Sequence, residues 1–157
     1  MKSDKNLVLI GMMGSGKSTI GKLLSRKTNY KFVDIDEKIE SNENLSISSI
    51  FEKYGESYFR NLEKKITLNY LSHKKTIISI GGGAFLNEQI RKKILQNSLS
   101  VWLYWNLNTL IKRIINSKKR PVLSSLNETE MKKLIDERNK VYAKAEITIN
   151  CENLKKI

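Results

Sequence analysis

Apolar residues along the chain fall into two alternating patterns. Five short runs are nearly continuously apolar and often β-branched: "NLVLI" (Asn6–Ile10), "KFVDI" (Lys31–Ile35), "TIISI" (Thr76–Ile80), "SVWLYW" (Ser100–Trp105) and "EITIN" (Glu146–Asn150). Runs of this kind predict strands buried on both faces. Between them, apolar positions recur at helical spacing. "KSTIGKLLSRK" places Ile20, Leu23 and Leu24 on one face. "SISSIFEKYGESYFRNLEKKITLNYL" carries Ile50, Phe51, Tyr54, Phe59, Leu62 and Ile66 at mostly helical intervals, with an interruption expected near Gly55. "NEQIRKKILQ", "NTLIKRIIN" and the long "ETEMKKLIDERNKVYAKA" follow the same rule. Strands alternating with helices predict an α/β fold built on a five-stranded parallel sheet with helices on both faces. Ligands of such folds bind at the carboxyl ends of the strands.

One of those strand ends carries a phosphate-binding signature. "GMMGSGKS", Gly11 to Ser18, fits G-x-x-x-x-G-K-[ST] and lies between a strand and an amphipathic helix, as the motif requires. The glycines allow a tight turn that points backbone N–H groups at phosphate oxygens. The helix N-terminus adds partial positive charge. Lys17 can reach the β- and γ-phosphates, and Ser18 can hold Mg²⁺ directly. ATP or GTP is therefore expected, with no information yet about the acceptor. "NKVY" lacks the aspartate of a guanine-reading N-K-x-D motif, and "TIISI" ends in Gly81-Gly82-Gly83 rather than in a carboxylate. Motor ATPases and GTPases need an acidic group at that strand end, so a small-molecule kinase is the better reading.

Candidate acceptor chemistry follows the second strand. In "FVDIDEKIE", Asp34 and Asp36 stand two apart, and i,i+2 residues of a strand project to the same side. Both are expected to point at the phosphate loop, one supporting hydrated magnesium and one receiving the attacking hydroxyl. A helix cap is the competing role for either aspartate. In "GESYFRNLE", Arg60 and Glu63 could form a surface i,i+3 pair, or Glu63 could orient Arg60 to grip an anionic group. "GGGAF" is either a plain loop or a place where the backbone passes close to a ligand. "INSKKRPVLSSLNE" (Ile115 to Glu128) is either a solvated charge run or a mobile lid that excludes water, with Arg120 swinging onto the phosphates. Arg138 in "DERNKVY" would pass for a helix-surface arginine.

Composition narrows the remaining classes. The 157 residues, 39% hydrophobic and 29% charged, suit one domain spanning 1–157, and no linker or repeat divides them. No apolar run reaches the ~18 residues of a membrane span. "MKSDKNLVLIGMMG" mimics a signal peptide, but its apolar run continues into the phosphate loop, so a cytoplasmic protein is expected. Cys151 and His73 are each the single residue of their type, which excludes an internal disulfide, a Cys/His zinc site and most His-based triads. His73, in "SHKKT", reads as a surface loop residue. The net charge of +13 raises nucleic acid as a partner. Its lysines are dispersed over helical stretches, however, so a solvated surface without nucleic-acid binding is expected.

Taken in order, these segments resemble the shikimate kinase family over nearly the whole chain. The resemblance is carried by "LIGMMGSGKSTIGKLL", "FVDIDEKIE", "SISSIFEKYGESYFRNLE", "SIGGGAF", "KKRPVL" and "RNKVY". It implies a P-loop kinase fold, with a lid near 115–127 and an acceptor-binding helical region near 37–65. It also implies ATP-dependent phosphorylation of the 3-hydroxyl of shikimate with Mg²⁺, and a monomer is expected. On this resemblance Asp36 contacts ring hydroxyls and is a candidate base, while Asp34 meets magnesium through water. Arg60 and Arg138 hold the substrate carboxylate, and the backbone of Gly81, Gly82 and Gly83 borders the ring. ATP falls to Gly14, Ser15, Gly16, Lys17, Ser18 and Thr19, with Arg120 on the phosphates and Arg113 stacked on adenine. "RPVL" stands where "RPLL" is commoner, an apolar exchange that leaves the chemistry alone. Rival readings are a gluconate-type or nucleoside monophosphate kinase and, from another class, a nucleotide-dependent nucleic-acid-binding protein.

Overall fold

The structure, a computed structural model, describes residues 4–115 and 127–153. The expected alternation is present. β1 (Asn6–Ile10), β2 (Lys31–Asp34), β3 (Thr76–Ser79), β4 (Ser98–Tyr104) and β5 (Ile147–Asn150) form one sheet in the order β2-β3-β1-β4-β5. Every pairing is parallel, with Val8 opposite both Ile78 and Ser100. The helices are α1 (Lys17–Lys27), α2 (Ile35–Glu43), α3 (Ile47–Leu71), α4 (Glu88–Asn97), α5 (Leu107–Ile115) and α6 (Glu128–Tyr142).

Period-2 alternation divides the core into two layers. Val8, Ile10, Ile78, Ile80 and Trp102 face α2 through α6, where they meet Ile39, Ile50, Phe59, Ile94, Leu110 and Ile135. Leu7, Leu9, Ile77, Val101 and Leu103 face the other way, toward Ile20 and Leu24 of α1 and the buried Cys151. Burial of each such side chain stabilises the fold by about 1.5–3 kcal/mol relative to exposure. Gly21 brings α1 close to the sheet, because a Cβ there would meet the Phe32 ring at Cδ2, 2.7 Å away.

Two expectations change at the sheet edges. All four residues of β5 are exposed, and Phe32 and Val33 of β2 are only half-buried. Each of these strands has one neighbour, so the both-faces-buried rule holds only for the central strands β1, β3 and β4. β4 also begins earlier than its apolar run, at Ser98, because α4 leads directly into it. Ser100 is fully buried there, and its hydroxyl accepts from the backbone N–H of Glu146 at 2.9 Å. Gly55 interrupts α3 as its composition suggested, with φ 80 and ψ 171. His73 is exposed on the turn after α3. Among the described residues, no helix is long and apolar enough to cross a membrane, and no cluster of three or more His, Cys, Asp or Glu could hold a metal. Residues 116–126, which include Arg120 and most of the expected lid, lie outside the described residues.

Candidate active site

The carboxyl ends of β1, β2 and β3 open into one cavity of about 850 Å3. After β1, the chain turns through Gly14 (φ 78) and Gly16 (φ 95), and α1 begins at Lys17. Left-handed φ at both positions is what glycine permits at little cost. Lys17 is buried, and its Nζ donates to the carbonyls of Gly11 (2.8 Å) and Met12 (3.0 Å). The ammonium is thereby held in the bend of the loop, where a phosphate chain would lie.

Asp34 ends β2, and its two carboxylate oxygens do different things. Oδ1 accepts from the backbone N–H groups of Asp36 (3.0 Å) and Glu37 (3.4 Å), capping α2. Oδ2 accepts from the Ser18 hydroxyl at 2.5 Å. This corrects the expectation for Asp36. The strand stops at Asp34 and Ile35 already belongs to α2, so the i,i+2 rule of a strand does not place these two side chains. Both nevertheless line the same cavity, because the first turn of α2 faces it.

The acceptor end is built by α3, the glycine turn after β3, and α6. Glu63 is buried and receives Arg60 Nη1 at 2.8 Å, while Arg60 Nε also donates to Glu56 at 3.1 Å. A surface i,i+3 pair is therefore ruled out, since the carboxylate side chain is 3% exposed. Burial opposes the charge on Arg60, but Glu63 and Glu56 outweigh it and hold the guanidinium above its ordinary value. Burial pushes the Glu63 carboxyl up, an effect that Arg60 only partly offsets and that the nearby Asp36 charge reinforces. The glycine turn is not a plain loop. A Cβ on Gly81 would lie 2.9 Å from Asp36 Oδ1, one on Gly83 2.5 Å from Arg60 Nη1, and one on Gly82 3.4 Å from Arg138 Nη1. Side chains are excluded there so that two carboxylates and two guanidinium groups can converge.

Thus Gly14, Gly16, Lys17, Ser18 and Thr19 share one cavity with Asp34, Asp36, Arg60, Gly81 to Gly83, Arg113 and Arg138. Ser15, between Gly14 and Gly16 in the loop, is buried and does not line the cavity. Arg113 places its guanidinium carbon 4.2 Å from the centroid of the Trp105 ring and donates from Nε to the Gly14 carbonyl at 2.8 Å. The sequence reading missed Trp105, whose indole N–H donates to the Ser15 carbonyl at 2.9 Å. It also missed Tyr142, which donates to the Gly82 carbonyl, and the site role of Phe51 and Phe59, whose rings meet in the cavity wall with centroids 4.6 Å apart and a 39° tilt. The contacts of Trp105 and Tyr142 cross 90 and 60 residues of sequence, and no local pattern signals them.

The site can bring a nucleotide phosphate chain to a small acceptor that has both anionic and hydroxyl groups, which is the chemistry of a small-molecule kinase. Comparison with known proteins agrees. A sequence profile of the family described as shikimate kinase matches residues 13–157. A shikimate kinase from Sulfurihydrogenibium sp. (strain YO3AOP1) is 45% identical over 148 residues, covering 94% of this chain and 89% of that protein. The structure of shikimate kinase from Acinetobacter baumannii in complex with shikimate superposes with a TM-score of 0.90 at 32% identity, covering 98% of this chain and 87% of that one. A gluconokinase from Sinorhizobium meliloti shares the fold alone, at 15% identity and a TM-score of 0.51 over 96% of this chain and 78% of its own. From the phosphate loop to the end of α6, sequence and geometry agree that the chain belongs to the shikimate kinase family.

Proposed function

We propose that this protein transfers the terminal phosphoryl group of ATP to the 3-hydroxyl of shikimate, giving 3-phosphoshikimate and ADP. One observation carries the choice of acceptor. Among the described residues, Arg138 Nε and Glu63 Oε1 are buried side-chain atoms without a hydrogen-bond partner, and both belong to residues lining the cavity beside the phosphate loop. An unspent donor and an unspent acceptor at such a site call for a ligand that supplies both complements. Shikimate supplies a carboxylate for the arginines and ring hydroxyls for the carboxylates.

In this reading Arg60 and Arg138 bind the acceptor carboxylate, and planar guanidinium suits that task. Glu63 fixes Arg60, and the Gly81–Gly83 backbone borders the ring. Asp36 orients the 3-hydroxyl and is the group positioned to take its proton. Lys17 neutralises charge on the moving phosphoryl group. Arg120, outside the described residues, takes the phosphates from the lid near 115–127, and Arg113 stacks on adenine. The oxygen donors fit Mg²⁺, which keeps several waters and needs few protein ligands. Ser18 would hold it directly and Asp34 through water. When bound, it would add positive charge against the β- and γ-phosphate oxygens.

Residues 1–157 act as one kinase domain, with the acceptor-binding helical region near 37–65. The protein works as a cytoplasmic monomer whose partners are shikimate and ATP rather than nucleic acid or membrane. The dispersal of its lysines supports that reading. The test is ADP release with shikimate, gluconate and nucleoside monophosphates offered separately. Release with shikimate alone is expected, and equal or greater release with another acceptor would overturn the assignment.

A further inference from the structure

Tyr142, the last residue of α6, is 1% exposed and sits behind the cavity wall, against Gly82 of the glycine turn and Met12 of the phosphate loop. Its hydroxyl has one proton, which it donates to the Gly82 carbonyl in the middle of the glycine turn. The same oxygen lies 3.6 Å from Met12 Sδ, a sulfur that also receives Arg138 Nη1 at 3.6 Å. Met12 in turn belongs to the phosphate loop, and its carbonyl accepts from Lys17. The Trp102 ring, 6.0 Å away and tilted by 54°, packs against the phenol. Burial pushes the phenol up to about 12, so it remains a donor throughout the neutral range. Arg138 stands one helical turn before Tyr142 on the same face of α6, and it lines the cavity that Tyr142 backs.

We propose that Tyr142 is a positioning residue for the acceptor, holding the Gly81–Gly83 turn against Met12 so that Arg60 and Arg138 stay aimed at the substrate carboxylate. The proposal rests on the shikimate reading above. Deleting the hydroxyl leaves the Gly82 carbonyl without its donor and frees the turn to rotate. Gly83 is the residue most closely crowded by Arg60, so rotation of the turn displaces that guanidinium. Lys17 keeps its two carbonyl contacts, which do not involve the phenol.

Tyr142→Phe keeps the ring and removes the donor, and Met12→Leu keeps volume and backbone while removing the sulfur. Each is assayed by ADP release, varying shikimate at saturating ATP and then ATP at saturating shikimate, with a thermal melt beside each. Tyr142→Phe is expected to raise the shikimate KM by about five- to tenfold, with the ATP KM held within about twofold. Met12→Leu is expected to act in the same direction by about two- to threefold, since sulfur is a weak acceptor. A shikimate KM within twofold of wild type in Tyr142→Phe overturns the proposal. So does a fall in kcat with both KM values unchanged, which marks a smaller folded fraction. Wild-type protein that releases no ADP with shikimate overturns the functional reading, and this inference with it.

Discussion

Gly83→Ala separates the acceptor site from the fold in one methyl group. Gly83 has φ −95 and ψ −16, a conformation open to alanine, so the backbone has no need to change. Its new Cβ would lie 2.5 Å from Arg60 Nη1, 2.8 Å from Cζ and 2.9 Å from Nη2. Ordinary contact begins near 3.5 Å, so the guanidinium must retreat by about 1 Å. The 2.8 Å bond to Glu63 cannot survive that shift at full strength. A charge-assisted hydrogen bond contributes about 1.5–3 kcal/mol. Arg60 is 35% exposed and keeps Glu56, which favours the lower end. The displaced guanidinium also meets the substrate carboxylate less well, and a loss of about 1.5 kcal/mol there corresponds to about a tenfold rise in the shikimate KM. Stability should fall by no more than about 1 kcal/mol, because Gly→Ala at a compatible site returns about 0.4–1 kcal/mol through the unfolded chain against the weakened Arg60–Glu63 bond. Shikimate-dependent ADP release gives the KM, and a thermal melt gives the stability. An unchanged shikimate KM refutes the claim that the glycine turn makes room for Arg60.

Other perturbations probe the remaining parts. Asp36→Asn should collapse turnover while nucleotide affinity, measured by ADP titration, stays within about twofold; near-normal turnover removes Asp36 from the reaction. Asp34→Asn should leave the melting temperature nearly unchanged, since asparagine caps a helix as well as aspartate. Its apparent magnesium requirement should rise at least about tenfold, and an unaltered magnesium titration would deny Asp34 any part in metal use. Gly21→Ala should destabilise by about 1–3 kcal/mol through overpacking against Phe32, despite a gain near 1 kcal/mol in helix propensity; a raised denaturation midpoint would contradict the close approach. Tyr142 titrates at about 12 rather than 10.0 because it is buried. A raised pKa means that the folded state holds the proton more tightly, so this contribution is full below pH 10 and is lost as pH rises through about 12. Wild type should therefore lose roughly 2–3 kcal/mol relative to Tyr142→Phe across that window, and parallel pH profiles would show that the phenol is not buried.

What the sequence reveals about this site depends on how local the physics is. The phosphate loop is wholly legible, because its turn, its lysine and its helix N-terminus are contiguous and each residue type has a local reason. The sheet is legible where strands have neighbours on both sides. At β5 the apolar run "EITIN" suggests burial, yet Ile147 is 40% and Ile149 39% exposed, because an apolar pattern does not say which strand is at an edge. Glu63 was ambiguous for a related reason. Spacing alone cannot tell a solvated pair from a buried one, and that is decided by the packing of α3 beneath the glycine turn. Trp105, Met12 and Tyr142 were invisible as site residues. Met12 meets Tyr142 across 130 positions, and a methionine or tyrosine in an apolar run looks like core until its polar atom is located.

Asp34 shows why the alternatives posed by "FVDIDEKIE" were not exclusive. A carboxylate has two oxygens and about four acceptor directions, so one group can serve a helix and a ligand together. Oδ1 is engaged by the first N–H groups of α2, and this starts the helix immediately after the strand rather than several residues later. That early start places Asp36 on the first turn of α2, close to Gly81 and Glu63, instead of on the strand. Oδ2 meanwhile engages Ser18 of the opposite element. The cap therefore does more than satisfy orphan amides, since it sets the position from which the second aspartate acts. A chain with a longer β2–α2 connection would keep both carboxylates in sequence and lose their convergence.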